Sequence, residues 1–177
     1  YKILDGCVKK SLENHDELYK IIAINQGGFK KEEGTIEQLY ILQNAFHYNN
    51  KLFCAFLDLS KAYDTVWREA LFDKLENQYR VPQNTIKWLR AMYNNTKSCT
   101  RVENKISPLF QAHRGLQQGA LSSPILFNYY INDLIHELNK ESQIGAKIGR
   151  LAINNLLFAD DIMLIATSQN ELQKLLN

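Results

Sequence analysis

Three aspartates stand where apolar segments end or meet. Asp58 follows the apolar run Leu52–Leu57, and Asp160 and Asp161 lie between two further apolar segments. A carboxylate at the end of a buried strand is costly unless it is paired or binds a cation, and adjacent carboxylates repel each other. A set of hard oxygen ligands without His or Cys favours Mg²⁺ or Mn²⁺. The sequence therefore points to a divalent-metal site.

Three converging carboxylates could hold two cations about 3.5–4 Å apart, an arrangement that activates an attacking hydroxyl and stabilises a leaving phosphate oxygen. Taken alone, the pair Asp160-Asp161 favours a simpler explanation, a turn with solvated or helix-capping carboxylates. The apolar flanks on both sides of the pair, and the second apolar strand ending in Asp58, move the balance towards metal binding.

The elements that must position these aspartates follow from the apolar pattern. A capping box of Thr35 and Gln38 opens one helix, and the run before Asp58 reads as a strand buried on both faces. The predicted elements are a helix over 1–20, a polar loop over 21–34, a helix from 35, a strand over 52–57, helices over about 64–79 and 84–95, paired short strands over 98–112, a loop over 115–119, a helix over 120–139, and short strands over about 151–158 and 162–166. This mixture predicts an α+β fold, and no linker divides the chain.

Composition is that of a soluble folded protein, with 45% hydrophobic and 23% charged residues. No apolar run approaches the roughly 18 residues of a membrane helix, so we expect no membrane partner. Three scattered cysteines without a C-x-x-C pair indicate a reducing, intracellular compartment. The chain starts at Tyr1 without a secretory leader, and we expect it to be a segment of a longer reading frame.

The charge is concentrated in one stretch. The whole chain carries a net charge of only +2, but residues 87–114 contain six cations and one acid, Glu103, with Trp88 and Tyr93 among them. Such a stretch fits binding to a phosphate backbone. On charge alone, a solvated loop is the slightly better explanation.

Four segments resemble, in order, the motifs of LINE-type, non-LTR retrotransposon reverse transcriptases. One alone would be weak evidence, whereas four in the family's order are very specific. They are Asn25–Lys30 with Gly34, Thr35 and Gln38 (a fingers motif), Phe56–Asp64 (the first catalytic motif), Gly115–Pro124 (the second) and Phe158–Asp161 (the third).

The resemblance implies roles for individual residues at the reaction centre. Asp58, Asp160 and Asp161 would be the catalytic, metal-binding carboxylates. The backbone carbonyl of Leu59 would help to hold the metal that binds the nucleotide. The implied cofactor is a pair of Mg²⁺ ions, with Mn²⁺ as an alternative. The ring of Tyr63 would lie under the sugar of the incoming nucleotide and exclude a 2′-hydroxyl; without the motif, it reads as a core aromatic.

Further residues are implied in nucleotide and template binding. Gln118 and Gly119 would line the nucleotide site. The residues implied at the template are Phe29, Lys30, Ser123 and Pro124. Some positions depart from the family pattern and bear on template affinity more than on chemistry; they are Lys30 and Gln117, where Arg is usual, Gly34-Thr35 in place of Ser-Thr, Ser122 in place of Leu, and Phe158 in place of Tyr.

The implied fold is a single reverse transcriptase domain fragment over residues 1–177, with a small antiparallel sheet packed on helices. Residues from about 1 to 50 would form the fingers, and residues from about 51 to 177 would form mainly the palm with inserted fingers elements. The thumb would be absent. The implied activity is RNA-directed DNA polymerisation, in which a dNTP is transferred to the 3′-hydroxyl of a DNA primer on an RNA template during retrotransposition. The fragment alone would be weak or inactive, and the expected location is the nucleus.

Two alternatives stay open at this point. The chain could be a catalytically silent nucleic-acid-binding remnant of a retroelement, although the intact Asp58, Asp160 and Asp161 argue against decay of the site. It could also belong to a group II intron-type reverse transcriptase, against which the fingers motif weighs only moderately. The oligomeric state cannot be read from these motifs.

Overall fold

The computed structural model describes residues 1–30 and 33–177. Contacts within the chain define two compact units. We call Tyr1–Tyr19 with Lys61–Tyr129 the helical unit, and Lys20–Ser60 with Tyr130–Asn177 the sheet unit. The helices and small antiparallel sheets confirm the α+β prediction. In the described part of the chain, no helix has the length and apolar character needed to cross a membrane.

The elements follow the predicted order, with additions. They are α1 (Lys2–Tyr19), α2 (Thr35–Tyr48), β1 (Phe53–Asp58), α3 (Ala62–Thr65), α4 (Arg68–Asp73) continued by a π-helical turn (Lys74–Gln78), α5 (Gln83–Tyr93), β2 (Lys97–Ser98), β3 (Arg101–Val102), β4 (Lys105–Ile106), β5 (Phe110–Gln111), α6 (Ser123–Lys140), β6 (Ala146–Ile148), β7 (Leu151–Ile153), β8 (Asn155–Phe158), β9 (Asp161–Ala166) and α7 (Gln169–Leu176). The helix predicted over 64–79 is thus divided, the strand predicted over about 151–158 is divided into β7 and β8, and β6 was not predicted.

The sheet unit is built on a three-stranded antiparallel sheet in the order β1-β9-β8. The central strand β9 is buried from Ile162 to Ala166, as expected for a strand with a partner on each side. The strand predicted before Asp58 is present, but the prediction that both of its faces are buried is wrong. In the described chain β1 pairs with β9 alone, and Phe56 on β1 is 77% exposed.

The start of α2 also differs from the prediction. The helix begins at Thr35, but its N-cap is Gly34, which has no side chain to accept a hydrogen bond, so the predicted capping box of Thr35 and Gln38 does not form. The Gly34 amide donates to Oε2 of Glu37 at 2.8 Å, which satisfies one of the free N–H groups at the helix start.

The helical unit buries one stripe of α1. Val8 and Leu12 are buried, whereas Ile3 and Cys7 are exposed. Asp5 and His15 complete the buried stripe. Both polar groups have partners, because Nε2 of His15 lies 2.9 Å from the carbonyl oxygen of Tyr79 and Asp5 accepts hydrogen bonds from the segment before α6. A prediction of the buried face from apolar residues alone therefore misses buried polar residues that have hydrogen-bond partners.

Candidate active site

The sheet register brings two of the three aspartates together. Strand β1 pairs with β9 from Phe53 opposite Ala166 to Asp58 opposite Asp161. Residues directly opposite in an antiparallel pair share a face, with Cβ atoms about 4.5–5.5 Å apart. Both carboxylates are exposed, and neither makes an ion pair within the described residues. Like charges in this position are unfavourable unless a cation lies between them.

Asp160 lies in the turn that joins β8 to β9. Phe158 pairs with Asp161, so Ala159 and Asp160 form a two-residue hairpin turn. Ala159 has a φ of +58°, the left-handed conformation that short hairpin turns require at a central position. The chain thus places Asp160 next to the pair of Asp58 and Asp161.

The three-carboxylate metal site stays a prediction. Across residues 1–30 and 33–177, no group of three or more His, Cys, Asp or Glu side chains is arranged to hold a metal ion. The oxygen donors of Asp58 and Asp161 nevertheless fit the chemistry of Mg²⁺. Leu59, the predicted carbonyl ligand, directly follows β1. A cavity of about 420 Å³, lined mainly by apolar side chains of α2, β1, β8 and β9, opens beside the Asp58–Asp161 pair.

A buried glutamine holds the turn before Asp160. Nε2 of Gln26 donates to the carbonyl oxygen of Ala159 at 3.0 Å, and the Ala159 amide donates to Oε1 of Gln26 at 2.8 Å. The Gly28 amide donates to the same Oε1 at 2.8 Å. The sequence analysis placed Gln26 in a motif but gave it no role. Its position between Asn25 and two glycines was the available signal, since two glycines in succession permit close approach of the backbone.

Phe29 and Lys30, the two fingers-motif residues with predicted template contacts, follow Gly28 in the chain. Phe29 is half-exposed with a φ of +60°. The Lys30 ammonium donates to the carbonyl oxygen of Ala23 at 3.3 Å and lies 3.3 Å from Oε1 of Glu33. Lys30 is thus engaged within its own loop, and the predicted template contacts of both residues stay predictions.

Tyr63 lies in the helical unit, on α3. Its ring stacks on that of Phe127 with a centroid distance of 4.9 Å and an interplanar angle of 17°. Its backbone carbonyl oxygen accepts from the Leu116 amide at 2.8 Å. The ring is therefore held against Phe127 and is only partly buried. A fixed, accessible ring is what steric exclusion of a hydroxyl requires.

The loop before α6 brings Gln118 close to the Tyr63 segment. Nε2 of Gln118 donates to Oδ1 of Asp64 at 3.0 Å. Gly119 is exposed and has a φ of +84°, a conformation that a residue with a Cβ adopts only at a cost. Tyr63, Gln118 and Gly119 thus all belong to the helical unit.

Ser123 and Pro124 open α6, three residues after the predicted start of this helix. Ser123 is 1% exposed, and its hydroxyl donates to the carbonyl oxygen of Gln117 at 2.7 Å. Tyr93 supports the same loop, because its hydroxyl accepts from the Gln117 amide at 3.4 Å. Burial raises the pKa of Tyr93 above its ordinary value. Ser123 therefore shapes the loop, and its predicted contact with the template stays a prediction, as does that of Pro124.

Two further residues that the sequence analysis did not single out fix this loop. The Asp5 carboxylate, 1% exposed, accepts from the amides of Leu121 and Ser122 at 2.5 and 3.2 Å and from the Ser122 hydroxyl at 2.5 Å. The buried Arg68 guanidinium donates to the carbonyl oxygens of Ala112, Arg114 and Gly115 at 2.6–3.2 Å. Burial lowers the pKa of Arg68 from its usual value. Each charge is matched to backbone groups distant in sequence, a relation that no local pattern reveals.

The comparisons with known proteins agree with this arrangement of motifs. Residues 1–177 match the family described as reverse transcriptase (RNA-dependent DNA polymerase). The Retrovirus-related Pol polyprotein from type-2 retrotransposable element R2DM of Drosophila melanogaster is 32% identical over 86% of this chain and 14% of that protein. The RNA-directed DNA polymerase from mobile element jockey of Drosophila funebris is 25% identical over 94% of this chain and 18% of that protein.

The chain thus spans only a small part of the relatives that it matches, about 14% and 18% of the two above. Among solved structures, a chain of the partial Cas6-RT-Cas1–Cas2 complex gives a TM-score of 0.34 and 21% identity over 81% of this chain and 22% of that chain, and no conclusion rests on so weak a likeness. The family match covers the whole chain and contains all four motifs. The resemblance to non-LTR retrotransposon enzymes is confirmed, and the chain belongs to the reverse transcriptase (RNA-dependent DNA polymerase) family.

Proposed function

We propose that this chain carries the catalytic core of an RNA-directed DNA polymerase, which adds a dNTP to the 3′-hydroxyl of a DNA primer on an RNA template during retrotransposition. The observation that carries the proposal is the Asp58–Asp161 pair in the sheet register, beside the turn that holds Asp160, in a chain of this family. In the same proposal, residues from about 1 to 50 form the fingers, and residues from about 51 to 177 form mainly the palm with inserted fingers elements.

The proposed chemistry is in-line nucleotidyl transfer with pyrophosphate as the leaving group. Asp58, Asp160 and Asp161 would hold two divalent ions, with the Leu59 carbonyl as a further oxygen ligand. Once bound, such ions favour ionisation of an attacking hydroxyl and stabilise the leaving oxygen. The protein supplies anionic oxygens fixed on the rigid ends of paired strands, so little reorganisation accompanies the reaction.

Nucleotide selection is proposed for residues of the helical unit. Tyr63 would accept a deoxyribose against its ring and exclude a ribose, because the stack on Phe127 prevents the ring from turning away. Gln118 and Gly119 would line the nucleotide site, where the absence of a Cβ at position 119 permits close approach.

Template and primer binding is proposed to use exposed cations. All six cations of residues 87–114 are exposed: Lys87, Arg90, Lys97, Arg101, Lys105 and Arg114. Arg90 alone among them forms ion pairs in the described chain, with Glu69 and Glu76. Exposed cations of this kind can contact phosphates, and the family match favours nucleic-acid binding over a merely solvated loop. Phe29, Lys30, Ser123 and Pro124 complete the proposed template contacts.

The test is Asp58→Asn in the full-length protein. The amide keeps the size of the side chain but removes the charge, so Mg²⁺-dependent primer extension on RNA should fall by at least about 100-fold. Binding of the RNA template should change by less than about twofold, because phosphate contacts depend on the cations. The readouts are primer extension with Mg²⁺ and with Mn²⁺, and a filter-binding titration with RNA.

Asp73→Asn, a matched change of an exposed aspartate on α4, should leave both readouts unchanged. Full activity of the Asp58→Asn protein would contradict the assignment of Asp58. A wild-type protein that binds RNA but never extends a primer would instead show the silent remnant. No observation in this structure favours that remnant or the group II intron-type enzyme.

A further inference from the structure

We propose that Gln26 is a positioning residue for the reaction centre, which holds the Ala159–Asp160 turn in the conformation that presents Asp160 and Asp161. This inference rests on the proposed function, in which both aspartates act. Gln26 itself touches neither substrate nor reacting atoms.

The turn needs an external constraint. Ala159 adopts a φ of +58°, a conformation that L-residues with a Cβ disfavour and that glycine or asparagine usually supplies in hairpin turns. A flip of the peptide between Phe158 and Ala159 would return the φ of Ala159 to negative values and relieve this cost. It would also redirect Asp160, because Asp160 directly follows Ala159.

Gln26 opposes such a flip by occupying both backbone groups of Ala159. One carboxamide donates to the Ala159 carbonyl and accepts from the Ala159 amide, at 3.0 and 2.8 Å. Gln26 is completely buried, so no water competes for these bonds. Only a neutral amide offers a donor and an acceptor in this geometry; a glutamate would present a second acceptor to the Ala159 carbonyl, and an asparagine is one methylene shorter.

The segment that carries Gln26 is itself fixed to the neighbouring strand β8. The Gly27 amide donates to the Leu157 carbonyl at 2.9 Å, and the Leu157 amide donates to the Asn25 carbonyl at 2.9 Å. A Cβ on Gly28 would lie 2.3 Å from the backbone nitrogen of Ala159, so this approach requires glycine. The clamp is therefore rigid at both ends, and a rigid support is what accurate placement of a reacting group needs.

The first test measures the turn without metal or substrate. Amide hydrogen exchange of Ala159 should accelerate by about tenfold or more in Gln26→Ala, because its N–H donates to Gln26, while amides in the centre of β9 keep their protection. Gln26→Glu provides a second, near-isosteric variant that loses only the donor to the Ala159 carbonyl. Gln43→Ala, an exposed glutamine on α2, is the matched control.

The second test measures the reaction in the full-length protein. Both Gln26 variants should lower kcat by about 10- to 100-fold and raise the Mg²⁺ concentration for half-maximal rate, with RNA affinity within about twofold of wild type. A merely structural role would instead lower RNA affinity and activity together. That result overturns the proposal, as do variants with wild-type kcat and wild-type exchange.

The outcomes separate this inference from the proposed function. If the wild-type protein extends primers and the Gln26 variants match it, the inference alone is wrong. If the wild-type protein shows no divalent-dependent extension while Asp58 and Asp161 remain intact, the proposed function fails and the inference falls with it.

Discussion

At the scale of single residues, Tyr63 shows how a packed aromatic can also be a selective surface. Its stack on Phe127 and the hydrogen bond from Leu116 to its carbonyl hold the residue in place, yet the side chain is only partly buried. A core aromatic and a sugar-excluding ring are therefore compatible descriptions of the same residue. The packing explains the accuracy that exclusion of a single hydroxyl demands.

Replacement of Tyr63 by Ala should admit ribonucleotides. The ratio of kcat/KM for a dNTP to that for the matching rNTP should fall by roughly tenfold or more, because the ring surface is lost. Single-nucleotide incorporation by the full-length protein measures this ratio. Tyr63→Phe keeps the ring and should keep the ratio, and an unchanged ratio in Tyr63→Ala would mean that the ring only packs.

At the scale of elements, one buried carboxylate on α1 holds the segment that starts α6. Asp5 accepts from two successive amides and a hydroxyl at Leu121 and Ser122, in the manner of a helix cap supplied from another helix. Hydrogen bonds to a charged acceptor are stronger than neutral ones, and buried amides left without a partner are costly. The loop with Gln118 and Gly119 thus depends on α1 for its shape.

Asp5→Ala should destabilise the chain by about 1–3 kcal/mol, since it leaves buried donors unsatisfied. Urea denaturation followed by circular dichroism measures the free energy of unfolding. Asp73→Ala, on the exposed side of α4, should change it by less than about 0.5 kcal/mol. Equal effects of the two substitutions would show that the buried carboxylate contributes nothing specific.

At the scale of the whole molecule, buried tyrosines link stability to alkaline pH. Burial raises the pKa of both Tyr93 and Tyr129 above the ordinary value of 10.0. Above that value the unfolded chain loses these protons while the folded chain keeps them. Stability is therefore fully present below pH 10 and decreases as the pH rises further, because the folded state binds more protons.

Tyr129→Phe should flatten this decrease. At neutral pH the substitution should cost about 0.5–1.5 kcal/mol, because the Tyr129 hydroxyl donates to the Leu12 carbonyl at 3.3 Å. Between pH 9 and 11 the variant should lose less stability than wild type, as measured by urea denaturation across this range. Tyr40→Phe removes a hydroxyl from the exposed surface of α2 and serves as the control. Parallel pH profiles of Tyr129→Phe and wild type would contradict the prediction.

The α+β class, the order of elements and the four motifs were all readable from the sequence, because each depends on residues close together along the chain. The apolar run before Asp58 predicts β1, and the apolar segments over about 151–158 and 162–166 predict the strands on either side of the β8–β9 turn. Local patterns of apolar residues and turn residues suffice for such elements. They also suffice for recognition of the family.

Other features depend on which segments meet, and only the tertiary structure decided them. The exposure of Phe56 depends on which segments pack over the face of β1, and an apolar run does not reveal this. The register that sets Asp58 opposite Asp161 is a cross-strand relation between distant segments. The clamp of Gln26 on Ala159 joins residues 133 positions apart. Such contacts are set by the packing of the whole fold, because hydrogen bonds and burial depend on distance in space and not on separation along the chain.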